Sequence, residues 1–183
     1  MTALLVMDVQ NAVVARYPDP AYLPRLRAAT DAARAAGRLV IHAGIGFRPG
    51  FPEVSPRNKM FGGLPAMGAS AAVEQGMGIH PDAAPQDGDL IVTKRRVSAF
   101  AGSDLDLLLR SRQIDHLVLT GIATSGVVLS TLRQAADLDY RITVLADGCL
   151  DNDPEVHRVL TEKVFPAQAE VTTVAEWSRA PGK

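Results

Sequence analysis

Several side chains with catalytic chemistry stand where apolar runs of this chain end. Asp8 closes the run Ala3–Met7, and Lys94 directly follows Leu90–Thr93. A carboxylate in that position is either a turn or cap residue for the next segment, or an acid or base held at the carboxyl end of a strand. A lysine in that position is either a surface residue or a catalytic one, and the first is the commoner. Gln10, two residues after Asp8, either positions a substrate or satisfies a turn. Cys149, the one cysteine, is either a reactive thiolate or a small buried hydrophobe, and the second is the default for its type. Thr124 and Ser125 carry hydroxyls but are also helix-capping types. His42 lies among apolar neighbours and reads as a strand-end histidine bonded to backbone rather than as a metal ligand. Arg48, Arg57, Asn58 and Lys59 make one loop basic, beside Phe47, Phe51 and Phe61. These are either solvated charges or the grip on an anionic substrate with aromatic rings packed over it.

The elements that must position these groups are organised around residues 116–151. Leu117–Thr120 is a short run with two β-branched residues that ends at Gly121, as expected of a strand buried on both faces. Val128, Leu129, Leu132, Ala135 and Ala136 then recur at helical spacing up to Leu138, and Arg141–Ala146 reads as the next strand. Strand, tight turn, helix and strand form a βαβ unit, which requires a parallel sheet and places the turn at its carboxyl edge.

The remaining chain repeats this rhythm. Tyr22–Ala36 predicts a helix closed by Gly37, followed by a strand over Arg38–His42. Residues 44–89 form a long Gly, Pro and Met-rich segment, expected to act as a lid or an oligomer contact unless a short helix over 66–75 breaks it. His80-Pro81 shapes that loop. Ser103 is a plausible cap for a helix over Asp104–Arg112. Asp153-Pro154-Glu155 opens a helix to about Lys163, Pro166 stops it, and Ala169–Val174 is a last short strand. Ser178–Lys183 reads as a loose tail.

With 183 residues, a formal net charge of −1 and 47% hydrophobic residues, the chain reads as one domain, 1–183, with a sizeable core. The balanced charge gives no footing for nucleic acid. A single cysteine excludes an internal disulfide framework and points to a reducing, cytoplasmic setting. The first apolar run ends at Asp8 after a handful of residues, so neither a signal peptide nor a membrane span is expected.

Three segments together carry a resemblance to a family. Leu4-Leu-Val-Met-Asp-Val-Gln10, Lys94-Arg-Arg-Val-Ser-Ala-Phe100 and Gly121-Ile-Ala-Thr-Ser-Gly-Val-Val128 with Ser130-Thr131 resemble the first strand, lysine loop and nucleophile turn of the isochorismatase-like hydrolases, the cysteine hydrolase superfamily. The likeness runs from residue 3 to about 175. It implies a three-layer α/β/α fold with a six-stranded parallel sheet of order 3-2-1-4-5-6. It also implies that Asp8 pairs with Lys94 at the crevice where strand order reverses. At the position of the amidases' nucleophilic cysteine this chain has Val127. The family's cis peptide maps onto Ile122-Ala123, and its oxyanion donors onto the backbone amides of Ala123 and Val127. By the same resemblance Ser98 and Phe100 line a substrate pocket expected to include Gln10, Phe47, Arg48, Ile122 and Thr124, while Arg95 and Arg96 hold the loop or face solvent. Metal-binding relatives place an Asp and two His after the second strand, which this chain lacks, so no metal and no cofactor are expected. A homo-oligomer, dimer or tetramer, is implied.

Without a thiol at 127, covalent thiol catalysis is closed while a backbone oxyanion hole can persist. The family's vinyl-ether hydrolases, with glycine at that position, use the Asp as a general acid. Valine is bulkier and narrows an isochorismate-shaped pocket, so isochorismate is not the expected substrate. The leading expectation is acid–base hydrolysis of a small substrate, anionic if the basic loop reaches it, by Asp8 and Lys94. The alternatives are a non-catalytic ligand-binding protein and a Cys149-dependent amidase.

Overall fold

The structure, a computed structural model, describes residues 1–68 and 75–179. Six strands, β1 (Thr2–Met7), β2 (Leu39–Ile45), β3 (Leu90–Lys94), β4 (His116–Ile122), β5 (Arg141–Leu150) and β6 (Glu170–Thr172), form one sheet. Its order is β3-β2-β1-β4-β5-β6 and every pairing is parallel. Strand order therefore reverses between β1 and β4, which puts Met7 beside Gly121 at the carboxyl edge. The α-helices bounded within the described residues include α1 (Asn11–Val14), α2 (Tyr22–Ala35), α3 (Leu64–Met67), α4 (Leu105–Ser111), α5 (Leu129–Asp137), α6 (Pro154–Val159) and α7 (Val174–Arg179).

Strand periodicity divides the core in two. Ala3, Leu5 and Met7 of β1 face a cluster that includes Leu105, Leu109, Leu132, Ala135 and Phe165. Leu4 and Val6 face the other, built on Tyr22, Leu26, Ala29, Ala33 and Trp177. With both faces covered, β1 and β4 are buried along nearly their whole length, as their unbroken apolar runs require. α2 ends at Ala35, one residue short of the expected boundary, and Gly37 takes a φ of +64°.

Several boundaries differ from expectation for physical reasons. β2 continues past His42 to Ile45, where β3 supplies hydrogen-bonding partners up to Lys94. β5 continues to Leu150: its pairing with β4 skips from Val144 opposite Leu119 to Cys149 opposite Gly121, a bulge that a residue-type pattern does not encode. The helix after β4 begins as a π turn, Thr124–Val128, whose cap residue is Ala123 and has no side-chain cap. Thr124 and Ser125 are therefore not side-chain caps. Asp153 is one, accepting from the Glu155 and Val156 amides, and its helix passes into a second π turn at Leu160–Val164. β6 spans only Glu170–Thr172, and Ser178 belongs to α7 rather than to a tail. The expected helix over 66–75 lies largely outside the described residues, as do the tail positions after 179.

Candidate active site

Asp8 follows the last residue of β1 with a φ of +54°, and its amide donates to the Ala43 carbonyl at 2.8 Å. Lys94, the last residue of β3, crosses in front of β2 to place Nζ 2.9 Å from Asp8 Oδ2. The other carboxyl oxygen of Asp8 accepts the Ile45 amide at 3.2 Å. Lys94 is 1% exposed, and its ammonium also donates to the Arg96 carbonyl at 3.0 Å. The expected acid–lysine pair is thus a direct contact at the crossover crevice.

Burial dominates the electrostatics of the pair. Loss of solvent pushes the Asp8 carboxyl above its ordinary range, against the lowering pull of Lys94 and of the Ile45 amide. Loss of solvent likewise lowers Lys94, against the pull of Asp8. Burial thus favours the neutral form of each group, while their mutual attraction favours the charged pair.

Opposite this pair is the turn after β4. Gly121 has a φ of +145°, and a Cβ there would collide with the carbonyl and Cβ of Met7, so only glycine fits. The Ile122-Ala123 peptide is cis. The Ala123 carbonyl accepts from the amides of Gly126 and Val128 at 3.0 and 3.3 Å. Two groups from beyond β5 brace this turn. Thr124, fully buried, has Oγ1 2.8 Å from Nδ1 of His157, and the Ser125 amide donates to Asp151 Oδ2 at 2.7 Å. Residue types alone gave Asp151 and His157 no role here: both are distant in sequence from the turn they hold, and only the Asp153-Pro cap before α6 hinted at order nearby.

Val127 is 2% exposed and belongs to the apolar cluster that includes Met7, Ala43, Phe100 and Cys149. Cys149 is fully buried, with its thiol pushed up to about 12 by loss of solvent. A reactive thiol needs the opposite: exposure and a depressed pKa.

The other expected pocket residues separate into groups. Gln10 is 2% exposed and committed to backbone: Oε1 accepts the Ile45 amide at 3.0 Å, while Nε2 donates to the carbonyls of Ile45 and Met77. It clamps the loops and, by sharing the Ile45 amide with Asp8, fixes that amide's aim. Phe47 packs on Phe51 and Phe61 at centroid separations of 5.9 and 5.5 Å, the expected aromatic group. Arg48 is exposed and paired with Glu53 at 3.6 Å, and Arg95 reaches the same carboxylate at 3.3 Å. Arg96 donates to the Glu53 carbonyl, so Arg95 and Arg96 do hold the loop. Ser98 donates to Gln134 at 2.7 Å and is buried, and Phe100, also buried, packs on Tyr140. His42 bonds to a side chain, Asp89, at 3.2 Å rather than to backbone. Among the described residues, no cluster of three or more His, Cys, Asp or Glu is placed to hold a metal ion. Among them too, no helix is long and apolar enough to cross a membrane.

A doubly wound parallel sheet of order 3-2-1-4-5-6 with an acid–lysine pair and a cis-peptide turn at its switch point defines an isochorismatase-like α/β/α hydrolase fold. The isochorismatase domain description matches residues 2–176, and the chain belongs to the isochorismatase family of hydrolases. It is 32% identical to an uncharacterized isochorismatase family protein of Bacillus subtilis, over 96% of this chain and 92% of that one. It is 38% identical to the ureidoacrylate amidohydrolase of Stutzerimonas stutzeri, over 84% of this chain and 71% of that one. Among solved structures it is similar to an isochorismatase family protein from Burkholderia thailandensis, with a TM-score of 0.84, 28% identity and coverage of 96% and 92%. It is also similar to the N-carbamoylsarcosine amidase of Thermoplasma acidophilum, with a TM-score of 0.75, 26% identity and coverage of 94% and 96%.

Proposed function

We propose that this isochorismatase-family hydrolase works by acid–base chemistry of Asp8 and Lys94 on a small substrate, with no covalent thiol intermediate. The observation that carries the reading is the buried 2.9 Å pair, in which burial holds the Asp8 carboxyl above its usual range. A carboxyl whose pKa is raised holds its proton to higher pH than an ordinary carboxylate and can serve as a proton donor to substrate. In a vinyl-ether substrate the Asp8 proton passes to the vinyl carbon, leaving an oxocarbenium ion and a carboxylate. Water adds to that ion and returns a proton to Asp8, and the resulting hemiketal breaks into a carbonyl compound and an alcohol. Lys94 stabilises the carboxylate between the two transfers. In the resemblance, position 127 is that of the nucleophile, and there this chain presents a buried valine. The buried, high-pKa thiol of Cys149 is unsuited to replace it.

The relatives named for ureidoacrylate and N-carbamoylsarcosine suggest ureido and N-carbamoyl acids as a first substrate panel, with vinyl ethers as the second. In this reading the protein is a homo-oligomer with a small-molecule substrate, in the cytoplasm. On a substrate found in such a panel, Asp8→Asn abolishes turnover while iodoacetamide leaves the native enzyme active. Alkylation-sensitive turnover would end the noncovalent scheme. An Asp8→Asn protein that keeps both its ligand affinity and its biological effect would instead mark a binding protein.

A further inference from the structure

Gln10 stands two residues after Asp8, and its carboxamide has one orientation that works. Nε2 donates to the carbonyls of Ile45, at 2.9 Å, and Met77, while Oε1 accepts the Ile45 amide at 3.0 Å. Turned over, the oxygen would face two carbonyl oxygens and the nitrogen an N–H, so the setting is fixed by the partners. The backbone around it is equally held. Gln10 bridges antiparallel to Ile79, the His80 amide donates to the Val9 carbonyl, and the Asn11 amide donates to the Gly78 carbonyl, both at 2.9 Å. On the β2 side Gly44 makes the room, since a Cβ there would stand 3.2 Å from the carboxamide. With both amide hydrogens committed to backbone and 2% exposure, Gln10 has no donor left for a substrate.

The Ile45 N–H is the contested group. It lies 3.2 Å from Oδ1 of Asp8 and 3.0 Å from Oε1 of Gln10. A single hydrogen shared between two acceptors points squarely at neither, and the bond to each is weaker for it. For Asp8 this matters, because an N–H given wholly to a carboxylate stabilises its charged form. Two or three such bonds can bring a carboxyl below about 2, so one is worth on the order of 0.5–1 pK unit. Among the described residues Ile45 supplies the one backbone amide bonded to the Asp8 side chain. The charged neighbour acting on Asp8 is Lys94 of β3. Of the other elements around it, β2 carries His42, which is bound to Asp89, and the turn 121–128 carries no ionisable side chain. The segment 75–80 carries His80, whose Nδ1 accepts the Asp82 amide at 3.2 Å.

We propose that Gln10 is a positioning residue for proton transfer by Asp8: its carboxamide oxygen draws the Ile45 N–H away from the carboxylate, so that Asp8 holds its proton more tightly than it otherwise would. Gln10 touches no substrate and acts only through the shared amide. The inference rests on the reading of Asp8 as the acid.

The test uses the full chain labelled with 13C and 15N and follows the Asp8 carboxyl, assigned by its loss in Asp8→Asn, together with the Ile45 amide. In the native protein, coupling through the hydrogen bond runs from the Ile45 nitrogen to the side-chain carbonyl carbon of Gln10. Its absence overturns the proposal without any variant. In Gln10→Met the Asp8 carboxyl titrates about 0.5–1 unit lower than in the native protein. The Ile45 amide proton then moves further downfield when Asp8 ionises, while its exchange with solvent stays slow. In Gln10→Glu, which keeps an oxygen against the same N–H, the Asp8 carboxyl does not fall. A clamp with no other role would move both variants the same way, since each loses donors to the Ile45 and Met77 carbonyls. An Asp8 that titrates unchanged in Gln10→Met, or lower in both variants, overturns the proposal. So does a fall accompanied by fast Ile45 exchange, which would mean that the loops had opened to water. Failure of the underlying reading looks different: turnover would survive in Asp8→Asn while the titrations of the Gln10 variants kept their expected order.

Discussion

Replacing Lys94 by Met tests the electrostatic core of the site, because it removes the ammonium and keeps most of the buried stem. At 2.9 Å and an effective dielectric of about 20, the attraction of the two charges is at most about 6 kcal/mol, and desolvation offsets part of it. An opposite charge at this range typically shifts a carboxyl by about 1–3 pK units. In Lys94→Met the Asp8 carboxyl, already raised by burial, therefore titrates about 1–3 units higher than in the native protein. The assay is 13C NMR titration of the Asp8 carboxyl, which needs no substrate and reads the group directly. Stability carries the same sign. A carboxyl whose pKa is higher in the folded than in the unfolded state binds more protons when folded. The variant therefore loses stability as pH rises from the unfolded value near 4 to the raised folded value. An Asp8 that titrates at or below its native position in Lys94→Met would refute the pairing argument, and with it the claim that burial and Lys94 oppose each other.

Four further outcomes follow. Val127→Cys acquires a low esterase or amidase activity that iodoacetamide abolishes, if the turn's amides still form an oxyanion hole; a folded variant with no such activity would mean the site has been remodelled. Cys149→Ala keeps full turnover and loses about 1–2 kcal/mol in denaturant unfolding, because the thiol fills core space and does no chemistry. Thr124→Val costs about 1–2 kcal/mol by the same measurement, since it leaves His157 Nδ1 without its partner 2.8 Å away; an unchanged midpoint would mean the brace is idle. Gly121→Ala costs more than about 3 kcal/mol or prevents folding, because both its φ and its contact with Met7 exclude a Cβ.

The parts that could be read from residue types are those with local causes. Leu4–Met7 and Leu117–Leu119 are apolar on every position, so a strand covered on both sides is the only economical reading. The 3.6-residue spacing from Val128 to Ala136 requires a helix after it. Asp153-Pro154 announces its helix through a cap that the structure contains. The strand order, the cis bond and the pairing of Asp8 with Lys94 came from family resemblance and not from pattern, since nothing in either residue's neighbourhood names the other across 86 positions of chain. What stayed hidden has the same long-range character. His42 finds Asp89, Thr124 finds His157 and Ser125 finds Asp151 through contacts between elements far apart in sequence. The bulge of β5 and the π turn before α5 are likewise set by how strands meet, which no single segment records.

The tight meeting of Gly121 with Met7 has a consequence for how such a scaffold can diversify. Where two strands touch backbone to backbone, no side chain is available to reshape the floor of the crevice between them. New selectivity must then be written in the surrounding rim, through the aromatic and arginine-rich segment after β2 and the lysine loop after β3. A library aimed at changing what this protein accepts should vary those stretches and leave the seam alone.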